Sequence, residues 1–350
     1  MIVHKGPTRL GEMRLDDCTQ VVVMWHVQVS TQALRAALAR GIEFLFLTRG
    51  GRFLGRLSNG LAGHVELRMA QFRRFGDASI ALNLARGYVR GKIENQRRLL
   101  LRYQRDRQDD RIATALVRLR RAQESLPGAG NPDMLRGIEG AASREYFAGL
   151  GRLFKAPGIV FRERLRRPPP DPVNILLSFG YTLLAGALHG MAEQVGLDPY
   201  LGVLHAPERG RPSLVLDLME EFRPVLVDAT VLRVFNTRTI TQQDFVWPTD
   251  DQGAELEDEW ERQELDATDA SDAGADSADA ADRQPARRVL LTNLGVRKWI
   301  LAFERRMEDG LEYPRLGCRL SYRQILLEQV RLLARHLLDE GEYASFQAFP

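Results

Sequence analysis

Between His205 and Pro224 the sequence places one imidazole, a short basic loop and a run of carboxylates: His205-Ala-Pro-Glu-Arg-Gly-Arg-Pro-Ser213-Leu-Val-Leu-Asp217-Leu-Met-Glu220-Glu221-Phe-Arg223-Pro224. Asp217 and Glu220 are three positions apart, a spacing that puts two side chains on one face of a helix. Leu216, Leu218 and Met219 around them are apolar, so the acids are expected to point out of a packed core or along its edge. An imidazole and carboxylates gathered there offer the nitrogen and oxygen donors of a divalent-metal site. The same pattern also fits a capped amphipathic helix with solvated acids.

The elements that would position these residues follow from periodicity. Val21, Val23, Trp25, Val27 and Val29 alternate at strand period. Ser30-Thr31 caps a short helix over 32–40 that Gly41 ends, Ile42 to Leu47 reads as a second strand, Gly50-Gly51 as a turn and Arg52 to Leu57 as a third strand. From about Glu66 the period becomes helical. Met134 to Leu153 is a helix holding Glu139 among Gly137, Gly140, Ala141 and Ala142; an acid in such company is often merely exposed. Pro172 to Ala192 carries no charge and is long enough for a membrane span. Asn174, Ser178, Tyr181, Thr182, His189 and three glycines inside it favour a buried helix and no membrane. His189 is expected to pack in that helix and to take no part as a ligand. Tyr322 to Leu338 is a basic amphipathic helix. The fold class expected is α+β: a small N-terminal β-domain over 1–68, then an all-α catalytic domain over 69–350.

Charge is divided unevenly along the chain. The net charge of +3 conceals a segment, Asp250 to Asp282, with 14 acids against one Arg262, about −13; the rest therefore carries about +16. Residues 250–285 are mostly Asp, Ala, Ser and Glu, a composition that cannot bury enough apolar surface to order itself, and are expected to form a disordered insertion. Between Arg73 and Arg121, 14 basic residues face 5 acids. That excess fits either a solvated helix surface or a nucleic-acid groove, and a nucleic acid is the partner it favours. Cys18 and Cys318 are far apart and form no disulfide framework. With no signal peptide at the N-terminus, a cytoplasmic location is expected.

Several of these motifs together resemble the CRISPR-associated integrase/endonuclease family, the metal-dependent subunit of CRISPR spacer acquisition. Leu204-His205, the basic loop and Ser213-Leu-x-x-Asp217-Leu-Met-Glu220-Glu221-x-x-Pro224 carry the strongest likeness. Gly91-Lys92-x-x-Asn95-Gln96, Asn174-x-x-Leu-Ser-x-x-Tyr181 and the hairpin Gly51-Arg-Phe-Leu-Gly-Arg-Leu57 extend it. So does Gly137-Ile-Glu139-Gly140. The family usually has a further leading strand or hairpin, so this chain is expected to begin partway into its β-domain.

The resemblance implies Glu139, His205 and Glu220 as metal ligands, with Asp217 either a fourth ligand or the residue that orients one. It implies Mn²⁺ or Mg²⁺ as the ion, which mixed imidazole and carboxylate donors suit. The implied reaction is joining of short DNA to a CRISPR array by attack of a 3′-hydroxyl on a phosphodiester, with water-driven endonuclease cleavage as its counterpart. The implied assembly is a homodimer bridged by the small adaptation subunit of the same system. Tyr181, Arg223, Lys92 and Arg97 are candidates to touch DNA, though a surface arginine fits Arg223 equally and a tyrosine in an apolar helix is more often core. Two other readings fit the same residues: a branched-DNA nuclease of this fold outside CRISPR, and a non-catalytic DNA-binding scaffold.

Overall fold

The computed structural model describes residues 1–18, 20–24, 27–48, 51, 53–59, 64–104, 108–165, 169–247 and 289–348. The acidic segment at 250–285 lies outside them. The chain divides into two compact units, 1–63 and 64–350; the boundary expected at 68 falls inside a helix that starts at Val65.

The first unit is built from two small sheets. Strands β1 (Ile2–Lys5) and β2 (Thr8–Glu12) pair antiparallel. Strands β3 (Gln20–Met24), β4 (Glu43–Leu47) and β5 (Phe53–Leu57) form a second sheet in that order, β3 parallel to β4 and β4 antiparallel to β5. A parallel pair needs a crossover, and helix α1 (Thr31–Leu38) supplies it. The Ser30 hydroxyl caps α1 by accepting from the amide of Ala33 at 3.2 Å. Val23, Ala37, Ile42 and Phe44 form the core between sheet and helix.

The second unit is largely helical: α2 (Val65–Phe75), α3 (Ala78–Gln104), α4 (Asp110–Ser125), α5 (Pro132–Gly151), α6 (Pro172–Val195), α7 (Ser213–Met219), α8 (Ala229–Asn236), α9 (Asn293–Glu308) and α10 (Tyr322–Leu337). It is not wholly α as expected. The short pair Phe245–Val246 with Leu290–Leu291 and the hairpin Gly310–Tyr313 with Cys318–Ser321 add two antiparallel ladders. Asn131 and Asp171 cap α5 and α6, each with Pro at the first helical turn, where the missing amide costs nothing. Gly196 ends α6 at φ +99°, a left-handed conformation that favours glycine. Helix α6 is the uncharged segment. Its Val173, Leu176, Leu177, Phe179, Leu184 and Leu188 are buried, as a core helix requires. His189 lies in it as expected, edge-on to the Tyr200 ring and 3.5 Å from Glu193 Oε1.

Candidate metal centre

Three elements of the second unit bring the acids and cations together. Helix α3 supplies Lys92, α5 supplies Glu139, and the end of α7 supplies Glu220. Lys92 is the hub. Its ammonium pairs with Glu139 Oε1 and lies 2.5 Å from Glu220 Oε2. Ser143, one turn beyond Glu139 on α5, donates its hydroxyl to the same Glu139 Oε1 at 2.7 Å. Arg223 reaches Glu220 Oε1 at 3.2 Å.

Lys92, Glu220 and Arg223 are buried. The acids of α7 are therefore inside, not along a solvated edge. Burial works against charge on Lys92, but Glu139 and Glu220 outweigh it and raise the ammonium above its usual pKa. Burial likewise opposes ionisation of Glu220, and Arg223, Lys92 and His205 together hold its carboxyl below the usual range.

Asp217 makes a different set of contacts. Its Oδ2 accepts from the amides of Val203 at 2.6 Å and Leu204 at 3.0 Å. Its Oδ1 accepts from the amide of His205 at 2.9 Å and stands 2.7 Å from His205 Nδ1. Both oxygens are committed to the loop that carries the imidazole. That loop can lie so close because Gly202 has no side chain; a Cβ there would sit 2.8 Å from Asp217 Oδ2. Gln71 of α2 and Arg136 of α5 fix the same loop through the carbonyls of Asp198, Leu201 and Leu204, at 2.9, 3.2 and 2.7 Å.

The four residues singled out for DNA stand as follows. Lys92 and Arg223 are buried among the acids. Tyr181 donates its hydroxyl to Asp228 Oδ1 at 2.7 Å, and the Arg223 guanidinium lies 4.7 Å from its ring centre. Arg97 is paired along α3 with Glu94 at 3.1 Å.

Two layers around the site had no counterpart in the motif reading. Asp228, in a π-helical turn at 223–228, accepts from Tyr146 at 2.8 Å as well as Tyr181. Burial pushes its carboxyl up to about 6 against the pull of both phenols. The signal for it was an acid inside the apolar run Val225-Leu-Val-Asp228-Ala. The second layer is the segment 343–348. Tyr343 donates to Glu221 Oε1 at 2.5 Å, and the Phe346 amide donates to Glu221 Oε2. Asn95 ties the same segment to α3 through Phe346 and Ala348, at 3.0 and 2.8 Å.

The donor set fits a hard divalent ion: two carboxylates drawn toward one point and an imidazole nearby whose Nδ1 faces a carboxylate, the usual means of orienting a metal-binding histidine. As the side chains stand, no three His, Cys, Asp or Glu among the described residues close a metal cage. Lys92 stands between the two glutamates.

A family model described as "CRISPR associated protein Cas1" matches residues 1–269. A CRISPR-associated endonuclease Cas1 of Thermus thermophilus is 34% identical over 330 residues, covering 94% of this chain and 85% of that protein. A CRISPR-associated exonuclease Cas4/endonuclease Cas1 fusion of Geobacter sulfurreducens is 34% identical over 356 residues; the chain is covered fully but spans 57% of the fusion's length. Among solved structures, a CAS1 protein from Thermotoga maritima superposes over 99% of this chain and 94% of its own with a TM-score of 0.73 at 22% identity, a likeness of fold.

Proposed function

The chain belongs to the Cas1 family of CRISPR-associated endonucleases, and from that premise we propose that it is a metal-dependent integrase joining short DNA to a CRISPR array. The observation that carries this reading is the convergence of Glu139 and Glu220 on the buried Lys92 ammonium, one helical turn from the Asp217 that holds His205. Glu139, His205 and Glu220 would hold Mn²⁺ or Mg²⁺. The ion would supply charge neutralisation for the pentavalent phosphate and activation of the attacking 3′-hydroxyl or water.

The chain's own residues do the rest. Asp217 fixes the ring of His205 through Nδ1, so the nitrogen turned to a ligand would be Nε2. Ser143 holds one oxygen of Glu139 in place. Arg223, braced on Glu220 and the Tyr181 ring, keeps positive charge beside the acids, where a phosphate is to be received. The surface beyond the site is expected to hold DNA through its arginine excess, with Arg97 one of the contacts. We further propose that the protein acts as a cytoplasmic homodimer with the small CRISPR adaptation subunit.

Joining of a 3′-hydroxyl duplex to target DNA in Mn²⁺ tests this. Wild type joins, and Glu139→Ala and His205→Ala do not. If both variants join normally, these residues are not the site. A wild-type protein that binds DNA yet neither joins nor cuts with any divalent metal is a scaffold instead.

A further inference from the structure

We propose that Lys92 is the resident cation of this centre: it neutralises Glu139 and Glu220 until a divalent ion arrives, gives up the acids to that ion, and then meets the DNA phosphate. The inference rests on the metal-site reading above and adds a residue and an order of events to it.

Lys92 is a buried lysine whose ammonium touches both acids at once. Without it, Glu139 and Glu220 would be two like charges pressed together, which low-dielectric surroundings make costly. With Lys92 and Arg223 in place, their charges already balance. Glu139 Oε1 accepts from both Lys92 and Ser143, so an ion drawing on that oxygen competes with the ammonium for it. Lysine suits such an exchange: it is a point charge on a flexible four-carbon stem, unlike the planar fork of Arg223. Once an ion is bound, Lys92 becomes a positive charge in excess, and a phosphate is the anion that restores balance.

Two measurements test this. The first is Mn²⁺ affinity by calorimetry for wild type, Lys92→Met, Glu139→Gln and Glu220→Gln, with circular dichroism to monitor folding. Removing a competing cation is expected to tighten Mn²⁺ binding by Lys92→Met at least about tenfold, a difference of roughly 1.4 kcal/mol, while its joining rate falls. A folded Lys92→Met protein that binds Mn²⁺ no tighter than wild type, or that joins at the wild-type rate, overturns the proposal. Glutamine variants that bind Mn²⁺ as wild type does would instead sink the metal-site reading beneath it. The second uses wild type alone and stands even if the variant does not fold. The chain has four lysines, Lys5, Lys92, Lys155 and Lys298, so ¹³C-lysine labelling gives a readable spectrum. The Lys92 side-chain signal is expected to move saturably with Mg²⁺ while Lys155 stays. An unmoved Lys92 at saturating Mg²⁺ contradicts the exchange.

Discussion

At the scale of single residues, the acids gathered on the Lys92 ammonium stand apart from those that hold other groups in place. Asp217 spends both oxygens on three backbone amides and one imidazole nitrogen. Asp217→Asn loses an acceptor for at least one of these and is expected to weaken Mn²⁺ affinity by about 10–100-fold, the usual cost of losing an orienting partner; calorimetry checks it. Asp228 offers a pH prediction. Its folded pKa of about 6 lies above the ordinary 3.8, so the folded state favours the protonated form. The stability this contributes is present below pH 4 and is lost as pH rises through about 6, by on the order of 3 kcal/mol at 1.36 per pH unit. Urea denaturation at pH 4 and pH 7.5 is expected to show a loss larger by about that amount in wild type than in Asp228→Asn, since Glu221, pushed up to about 8, titrates in both proteins. The sequence marked His205, Glu220 and, through the family likeness, Glu139 as candidates, and the structure brings both glutamates to Lys92. Where Asp217 spends its oxygens was not legible, because spacing fixes a helix face but not the amides that will meet it. Lys92 read as a candidate DNA contact for the same reason: its helix was evident, its partners 47 and 128 positions away were not.

At the scale of elements, α3 and the end of α7 are pinned together by the segment 343–348. Phe346 stacks on Phe222 at 4.9 Å and is 2% exposed. Glu221 accepts from that segment beside Glu220, and Asn95 donates to the Glu221 carbonyl at 2.7 Å. Gly91, next to Lys92, admits Ser345, whose Cβ would lie 2.8 Å from a Cβ placed there. The family's Gly-Lys-x-x-Asn-Gln element thus combines a contact point, a cation and a clamp. Phe346→Ala is expected to cost about 3–5 kcal/mol of stability by chemical denaturation. Asn95→Ala should lower joining more than its stability loss explains, since it frees the turn carrying Glu220. The alternation read through Val29 overran β3, which spans Gln20–Met24, while the helices α5, α6 and α10 and the strands β4 and β5 were readable from period and caps. The 343–348 segment was not: it has no periodicity and owes its conformation to side chains from distant helices. The small ladders that make the second unit less than all-α escaped for a related reason, being two to four residues per strand.

At the scale of the whole molecule, a chain near neutrality carries a strongly basic remainder, about +16 outside Asp250 to Asp282. DNA binding is expected to fall steeply with salt, with a log–log slope steeper than roughly −3, as release of counterions from several phosphates requires. The slope is expected to be unchanged in Glu139→Ala, because that acid is proposed to serve the chemistry and not the grip. The account's central claim is that Glu139, His205 and Glu220 enclose one divalent ion while Asp217 supports His205 from outside. Anomalous diffraction from crystals soaked in Mn²⁺ tests it most directly. The predicted result is a peak bounded by Glu139, His205 and Glu220, with Lys92 withdrawn from at least one acid and Asp217 still on the 203–205 amides. A peak elsewhere, or one ligated by Asp217 in place of Glu220, contradicts it.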